Sequence, residues 1–336
     1  MSDKIYKQKI VTFGGGTGHF NLLNGLKKYN DTSLITAVVA SWDSGGSSGR
    51  LRTELGVLPP GDIRRCVLAL MEDPEQQKVA QRLFDDRLED GDGFFKGHSI
   101  GNLIAARLDR IYRGQDRGTD AERKLFRIKA NILPASLSDL HLIGVTKKGI
   151  NIEGETNLDY RSRRSDFDPR DPIVRIHFNT RADANPRVLK AIKDADMIIF
   201  APGDLFTSIL PHLLIDGVKE TIQKSRAKVC FVLNLTTKPG ETDAFNASDY
   251  LEKLIFYLGN KNRLDYVVVN NGGLRKEIVA IYNAAGQELI KVDEKQCRSI
   301  APKAKVVKEK LVKYSRKEHL LRHDSDELAS TLLKLS

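Results

Sequence analysis

Short apolar, β-branched runs alternate with segments of helical period along almost the whole chain. Residues 9–13, 34–40, 173–178, 197–200, 228–233 and 266–269 have the length and branching of buried strands. Between them, Leu22, Leu23 and Leu26 mark one helical face, and Ile63, Val67 and Leu70 mark another, in a helix capped by Asp62 and reaching Met71. Further helices are expected over 76–88, from about residue 102 to Tyr112, over 119–130 and over 185–193. Apolar runs at 140–145 and 150–154 around Lys147-Lys148-Gly149 predict an inserted β-hairpin. Strands alternating with helices predict an α/β chain on a doubly wound, mostly parallel sheet. No repeat or linker interrupts it, so residues 1–336 are expected to form a single domain.

In such a sheet the C-terminal ends of the strands share one edge, and ligands bind in the crevice there. The first strand breaks into Gly14-Gly15-Gly16-Thr17-Gly18 before a helix, a turn that lets backbone N–H groups and a helix N-terminus approach a pyrophosphate. The second strand runs into S-W-D-S-G-G-S-S-G-R-L-R-T-E-L-G-V-L-P-P-G-D over 41–62. Gly45 and Gly46 tolerate the positive φ of an anion nest, and Ser44, Ser47 and Ser48 add hydroxyls. Asp43, Arg50 and Arg52 bring charge of both signs; a flexible linker is the alternative reading. At Ala201-Pro202-Gly203-Asp204-Leu205-Phe206-Thr207-Ser208, Gly203 relieves crowding, Asp204 caps a helix or meets a cation, and Thr207 and Ser208 donate to phosphate or merely cap. Residues 234–242, with Asn234 and Thr237, make a third such turn, and 270–273 end a further strand. In Gly97-His98-Ser99-Ile100-Gly101-Asn102, Ser99 caps a helix and His98 packs, or His98, Ser99 and Asn102 reach a ligand. Five glycine- or amide-rich loops expected at one crevice point to a nucleotide diphosphate.

Composition changes this picture little. The chain of 336 residues is 40% hydrophobic and 29% charged, as ordinary globular proteins are, and its net charge of +10 favours anionic partners. The basic run 303–322 reads as a solvated helix face or a nucleic-acid patch, and nucleic acid is not the expected partner because no recognised module accompanies it. The charged segment 157–172 reads as an exposed loop or a lid. Three widely spaced cysteines, Cys66, Cys230 and Cys297, have neither C-x-x-C nor zinc spacing, and no apolar run is long enough to cross a membrane. A cytoplasmic location without membrane insertion is therefore expected. H-E-x-x-H and Walker A sequences are absent, and no G-x-S-x-G elbow is expected.

The succession G-G-G-T-G, D-S-G-G-S-S-G-R-L-R-T-E-L-G-V-L-P-P-G-D-I-R, G-H-S-I-G-N-L, A-P-G-D-L-F-T-S-I and N-L-T-T-K-P-G-E-T-D resembles the YvcK-type gluconeogenesis factor family, from about residue 9 to 325. That family lies within the superfamily of the CofD-type 2-phospho-L-lactate transferase. The resemblance implies a Rossmann-like fold and a ligand site that includes Asp62 and Arg64 of P-P-G-D-I-R and Arg322 of Arg322-His323-Asp324. It implies a regulator that binds a nucleotide sugar of the UDP-N-acetylglucosamine type and influences carbon flow into cell-wall precursors and cell shape. Segment 301–336 would then close on the crevice, and a regulated protein and further copies of the chain are the other expected partners. The alternative is a magnesium-dependent transferase acting on a nucleotide diphosphate-linked donor, with Asp43 and Asp204 on the metal. The long S-G-R-L-R-T-E-L-G-V-L-P-P-G-D-I-R element favours the regulator branch. Two departures bear on the metal: Asp43-Ser44 stands where the family usually has paired acids, and Ala201 and Asp204 stand where it usually has Gly and Ser.

Overall fold

A computed structural model describes residues 5–89, 93–315 and 320–335. The strands in chain order are β1 (Ile10–Gly14), β2 (Ile35–Val39), β3 (Asn131–Pro134), β4 (Leu142–Thr146), β5 (Asn151–Glu153), β6 (Ile173–Phe178), β7 (Met197–Phe200), β8 (Lys228–Val232), β9 (Tyr266–Asn270), β10 (Lys305–Glu309), β11 (Val312–Ser315) and β12 (Leu320–His323). Seven of them form the central sheet in the order β10-β9-β8-β7-β1-β2-β3, every pairing parallel. The chain works outward from β1 to β3, then returns to β7 and works outward the other way. The direction therefore reverses between β1 and β7, where an open α/β sheet leaves a crevice at its C-terminal edge.

Helices cover both faces, as a parallel sheet requires. They are α1 (Gly16–Tyr29), α2 (Gly46–Leu55), α3 (Gly61–Leu70), α4 (Pro74–Asp85), α5 (Ile100–Ile111), α6 (Gln115–Leu125), α7 (Glu155–Asp159), α8 (Pro186–Asp194), α9 (Val218–Lys224), α10 (Ala247–Leu258), α11 (Lys276–Ala284), α12 (Glu294–Ile300) and α13 (Ser325–Leu333). The period of two splits each strand between two cores. Ile10, Ile199 and Val268 face a cluster with Leu22, Val67 and Leu332, whereas Val11, Phe200 and Val267 face a cluster with Val188, Leu213 and Leu254. Each such buried side chain contributes about 1.5–3 kcal/mol.

The parallel α/β reading holds, and four expectations need correction. Residues 173–178 do form a strand, but β6 pairs antiparallel with β4, and the expected hairpin is two strands of a separate sheet, β5-β4-β6. This small sheet docks on α10 through Tyr257, whose hydroxyl accepts the Ile176 N–H at 2.8 Å. The helix expected over 119–130 ends at Leu125, because Arg127 takes a left-handed φ of 56° and the chain turns into β3 at the sheet edge. The helix expected over 76–88 is α4, ending at Asp85. The basic run 303–322 is no helix face where it is described: β10 extends the sheet and β11 pairs antiparallel with β12; residues 316–319 of that run lie outside the described residues. Among the described residues no helix is long and apolar enough to cross a membrane, and the three cysteines are free and buried.

Candidate functional site

The glycine turn after β1 is locked from three sides. His19, in the first turns of α1, meets Thr12 Oγ1 through Nε2 at 2.7 Å, and burial pushes its pKa down to about 3, leaving a neutral ring. Asp62 Oδ1, from α3, accepts the Gly16 N–H at 2.8 Å. Gly18 lies so close to the Pro202 carbonyl that a Cβ would overlap it. Only glycine lets the β1 and β7 turns approach in this way. Trp42 Nε1 donates to the Thr207 carbonyl at 2.8 Å and joins the turn after β2 to the one after β7.

These turns enclose two adjoining cavities. The larger, about 750 Å³, lies between the β1 and β7 turns, the 234–239 segment and β12. Gly15, Gly16, Thr17, Gly18, Gly203, Asp204, Ser208, Asn234, Thr237 and Arg322 line it. The smaller, about 310 Å³, is lined by Asp43, Gly45, Gly46, Ser47, Ser48, Asp62, Arg64, Asn102, Asp204, Thr207 and Ser208. Gly16, Arg65, Asp159, Tyr160, Asp204 and Ser208 border both.

The two cavities differ in the balance of charge. Arg65, Arg163, Lys238 and Arg322 stand against Asp159 and Asp204 around the larger one, whereas Asp43, Asp62, Glu155, Asp159 and Asp204 stand against Arg64, Arg65 and Arg87 around the smaller. Burial, reinforced by Asp43, raises the Asp62 carboxyl to about 6; burial, with Asp43 and Asp159, raises Glu155 to about 8. Burial also raises Asp43 and Asp204. Lys238 Nζ pairs with Asp204 at 2.7 Å and with Asp159, and these carboxylates raise its pKa although burial opposes them.

The backbone amides beside the expected Thr207 hydroxyl, and the expected Arg64 guanidinium, are committed elsewhere. Glu241, itself raised to about 8 by burial, accepts the N–H groups of Phe206 at 2.6 Å and Thr207 at 3.2 Å. Residues 205–209 form a wide helical turn whose first amides therefore face a carboxylate and not a phosphate. Asp62 sits inside the first turn of α3 and bonds Gly16 where a cap of its own helix was expected. Arg64 borders the smaller cavity, but its guanidinium donates to the Phe84 carbonyl at 2.7 Å and to Asp85 at 2.8 Å. Residues 46–55, expected as part of a binding loop, are helix α2.

Gly14, Ser44, His98 and Ser99 line neither cavity. Gly14 packs against Ala201, Ser44 Oγ accepts the Thr156 N–H at 3.0 Å, Ser99 caps α5, and His98 Nδ1 lies 2.9 Å from Ser47 Oγ. Of the loop 270–273, expected at the same crevice, Asn270, Asn271 and Gly272 line a third cavity of about 320 Å³, which shares Asn234 and Leu235 with the larger one. Segment 157–172 is neither detached nor wholly exposed. Arg161 is buried and donates to Gly240 and Asp171 carbonyls, and Tyr160, Ser162 and Arg163 line the larger cavity, with Arg163 4.8 Å over the Tyr160 ring.

Sequence reasoning missed Arg65, one residue beyond the P-P-G-D-I-R motif's arginine, and Tyr282 and Gln287, in a segment whose one glycine, Gly286, follows a helix and not a strand. Tyr282 accepts the Leu321 N–H at 2.6 Å through its hydroxyl and so seats β12 on the cavity.

Magnesium shared by Asp43 and Asp204 does not fit these residues. Both carboxylates border the smaller cavity, but Asp204 is held by Lys238 and Asp43 Oδ1 accepts the Gly45 N–H at 2.8 Å. Among the described residues no three His, Cys, Asp or Glu side chains are grouped to hold a metal ion.

Residues 10–312 match the 2-phospho-L-lactate transferase CofD family. The gluconeogenesis factor of Bacillus subtilis is 34% identical over 330 residues, covering 98% of this chain and 98% of that protein. The gluconeogenesis factor of Halalkalibacterium halodurans is also 34% identical, covering 98% and 96%. A Thermotoga maritima relative reaches 38% over 98% of this chain and 99% of its own length. A crystal structure of a Bacillus halodurans protein superposes with a TM-score of 0.88 at 33% identity, covering 97% of this chain and 99% of that one. Another, titled as a member of the UPF0052 family, gives 0.87. A seven-stranded parallel sheet, a glycine-lined crevice at its reversal point and relatives matched over their full length agree: the chain belongs to the gluconeogenesis factor family, within the CofD-like group.

Proposed function

We propose that the crevice binds a nucleotide sugar of the UDP-N-acetylglucosamine type, and that the protein is a cytoplasmic regulator of carbon flow into cell-wall precursors and of cell shape. The excess of cations around the larger cavity and of carboxylates around the smaller carries this reading. A diphosphate in the larger cavity meets Arg322, Arg163 and the first turn of α1, where cations and the helix N-terminus answer its charge. The sugar then enters the smaller cavity, where Asp43, Glu155 and Asp159 accept hydrogen bonds from its hydroxyls. A volume of about 750 Å³ suits a ligand of nucleotide size. The names of the relatives support a part in carbon flow. A magnesium-dependent transferase would first require Asp204 to leave Lys238.

Titration calorimetry with UDP-N-acetylglucosamine tests the proposal. One site per chain, weakened by Arg322→Ala and unaffected by chelating divalent cations, supports it. No heat from folded protein, with or without magnesium, overturns it.

A further inference from the structure

The run Gly45-Gly46-Ser47-Ser48-Gly49 satisfies G-x-S-x-G, a spacing that its reading as an anion cradle passes over. It sits where that motif functions, between the end of a parallel strand, β2, and the start of a helix, α2. The glycines are needed there. Gly46 has a φ of +47°, and a Cβ on Gly49 would overlap the Ser44 carbonyl. Ser47, the central residue, borders the smaller cavity.

Behind Ser47 stands His98, fully buried, with Nδ1 2.9 Å from Ser47 Oγ and Nε2 3.7 Å from Glu54 Oε2. Glu54 lies seven residues after Ser47 on α2 and is also paired with Arg50. A carboxylate beside Nε2 favours the tautomer with its proton there, which leaves Nδ1 to accept from the Ser47 hydroxyl. The order in the chain is serine, acid, histidine, and the three roles are nucleophile, orienting acid and base. The first-turn amides of α2, which no side chain caps, flank Ser47 and can receive an oxyanion.

The geometry points to Ser47 as a nucleophile with His98 as its general base and Glu54 as the positioning residue, acting on a small acyl ester that enters the acid-lined cavity. Ser47 Oγ attacks the acyl carbon while its proton passes to His98 Nδ1. The carbon–oxygen bond to the leaving alcohol then breaks, and that alcohol takes the proton. Water, deprotonated by the same ring, cleaves the seryl ester and releases the carboxylic acid. An uncharged ester suits a cavity where Asp43, Asp62, Glu155, Asp159 and Asp204 outnumber Arg64, Arg65 and Arg87 better than an anion does. This activity does not depend on the nucleotide-sugar reading, since the probe below carries no nucleotide.

The test is a stopped-flow reaction of the full chain with p-nitrophenyl acetate, followed by peptide mass spectrometry. The expected result is a nitrophenolate burst of about one per chain, as an accumulating acyl-enzyme gives, with one acetyl group on Ser47. Ser47→Ala should abolish the burst without lowering the melting temperature, and His98→Ala should slow it about 100-fold. Glu54→Gln should slow it and Glu54→Asp restore part of the rate. Acetylation only at lysines or at other serines, or a burst that survives Ser47→Ala, overturns the assignment. If His98→Ala does not fold, the comparison of Ser47→Ala with wild type decides it. Failure here would leave the calorimetric isotherm for the nucleotide sugar unchanged.

Discussion

Asp62 on α3 occupies a backbone donor of the glycine turn: its Oδ1 accepts the Gly16 N–H at 2.8 Å. A phosphate approaching that turn therefore meets a carboxylate whose pKa burial and Asp43 raise to about 6. Protonation removes the repulsion, so affinity for the diphosphate should rise as pH falls from 7.5 to 5.5. Asp62→Asn keeps an oxygen acceptor and removes the charge; it should tighten binding at pH 7.5 by about fivefold, or about 1 kcal/mol. Calorimetry at the two pH values checks both, and a variant that remains as pH-dependent as wild type would contradict the assignment.

The approach of the β1 and β7 turns predicts a stability effect at Gly18, a glycine that also lines the larger cavity. Gly18→Ala places a methyl group against the Pro202 carbonyl. Overpacking of this kind costs about 1–3 kcal/mol. Thermal denaturation without ligand should show a lower melting temperature; an unchanged value would mean the turns can part freely.

Away from the crevice, Asp109 and Glu122 are buried between α5 and α6, and burial raises them to about 7 and about 8. Their folded-state pKa values exceed those of the unfolded chain, so the folded state binds more protons across this interval and stability falls as pH rises. The contribution of Glu122 is complete below about pH 4.5 and lost as pH passes about 8. Glu122→Gln should flatten the dependence of melting temperature on pH between those limits. A curve parallel to wild type would place the pH dependence elsewhere.

The sheet and its glycine turns were legible because they rest on local rules. Branched apolar runs mark β1, β2, β7, β8 and β9, and a turn that must approach a neighbour closely uses glycine, as Gly18 does. What could not be read was partnership across the chain. Nothing near residue 241 says that its carboxylate will take the Phe206 and Thr207 amides beside the expected hydroxyls of Thr207 and Ser208. The same is true of β6, whose sequence suits either sheet and whose antiparallel pairing is fixed by β4 and Tyr257. Asp43-Ser44 and Asp204 raised the question of metal from sequence alone, but nothing near residue 204 says that Lys238 will pair with its carboxylate.

The seat of β12 on Tyr282 links the C-terminal segment to ligand affinity. Tyr282→Phe removes the hydroxyl that accepts the Leu321 N–H and keeps the ring. Loss of one such bond costs about 0.5–1.5 kcal/mol, so binding of UDP-N-acetylglucosamine should weaken about twofold to tenfold. Calorimetry on the variant checks this, and unaltered affinity would mean that β12 holds its position without Tyr282.

The most direct measurement of the central claim is the electron density of the protein crystallised with UDP-N-acetylglucosamine. The account predicts the diphosphate in the larger cavity within hydrogen-bond distance of Arg322 and the α1 turn, and the sugar hydroxyls against Asp43, Glu155 or Asp159 in the smaller one. A ligand bound with its sugar pointing away from those carboxylates, or bound outside the two cavities, would contradict it.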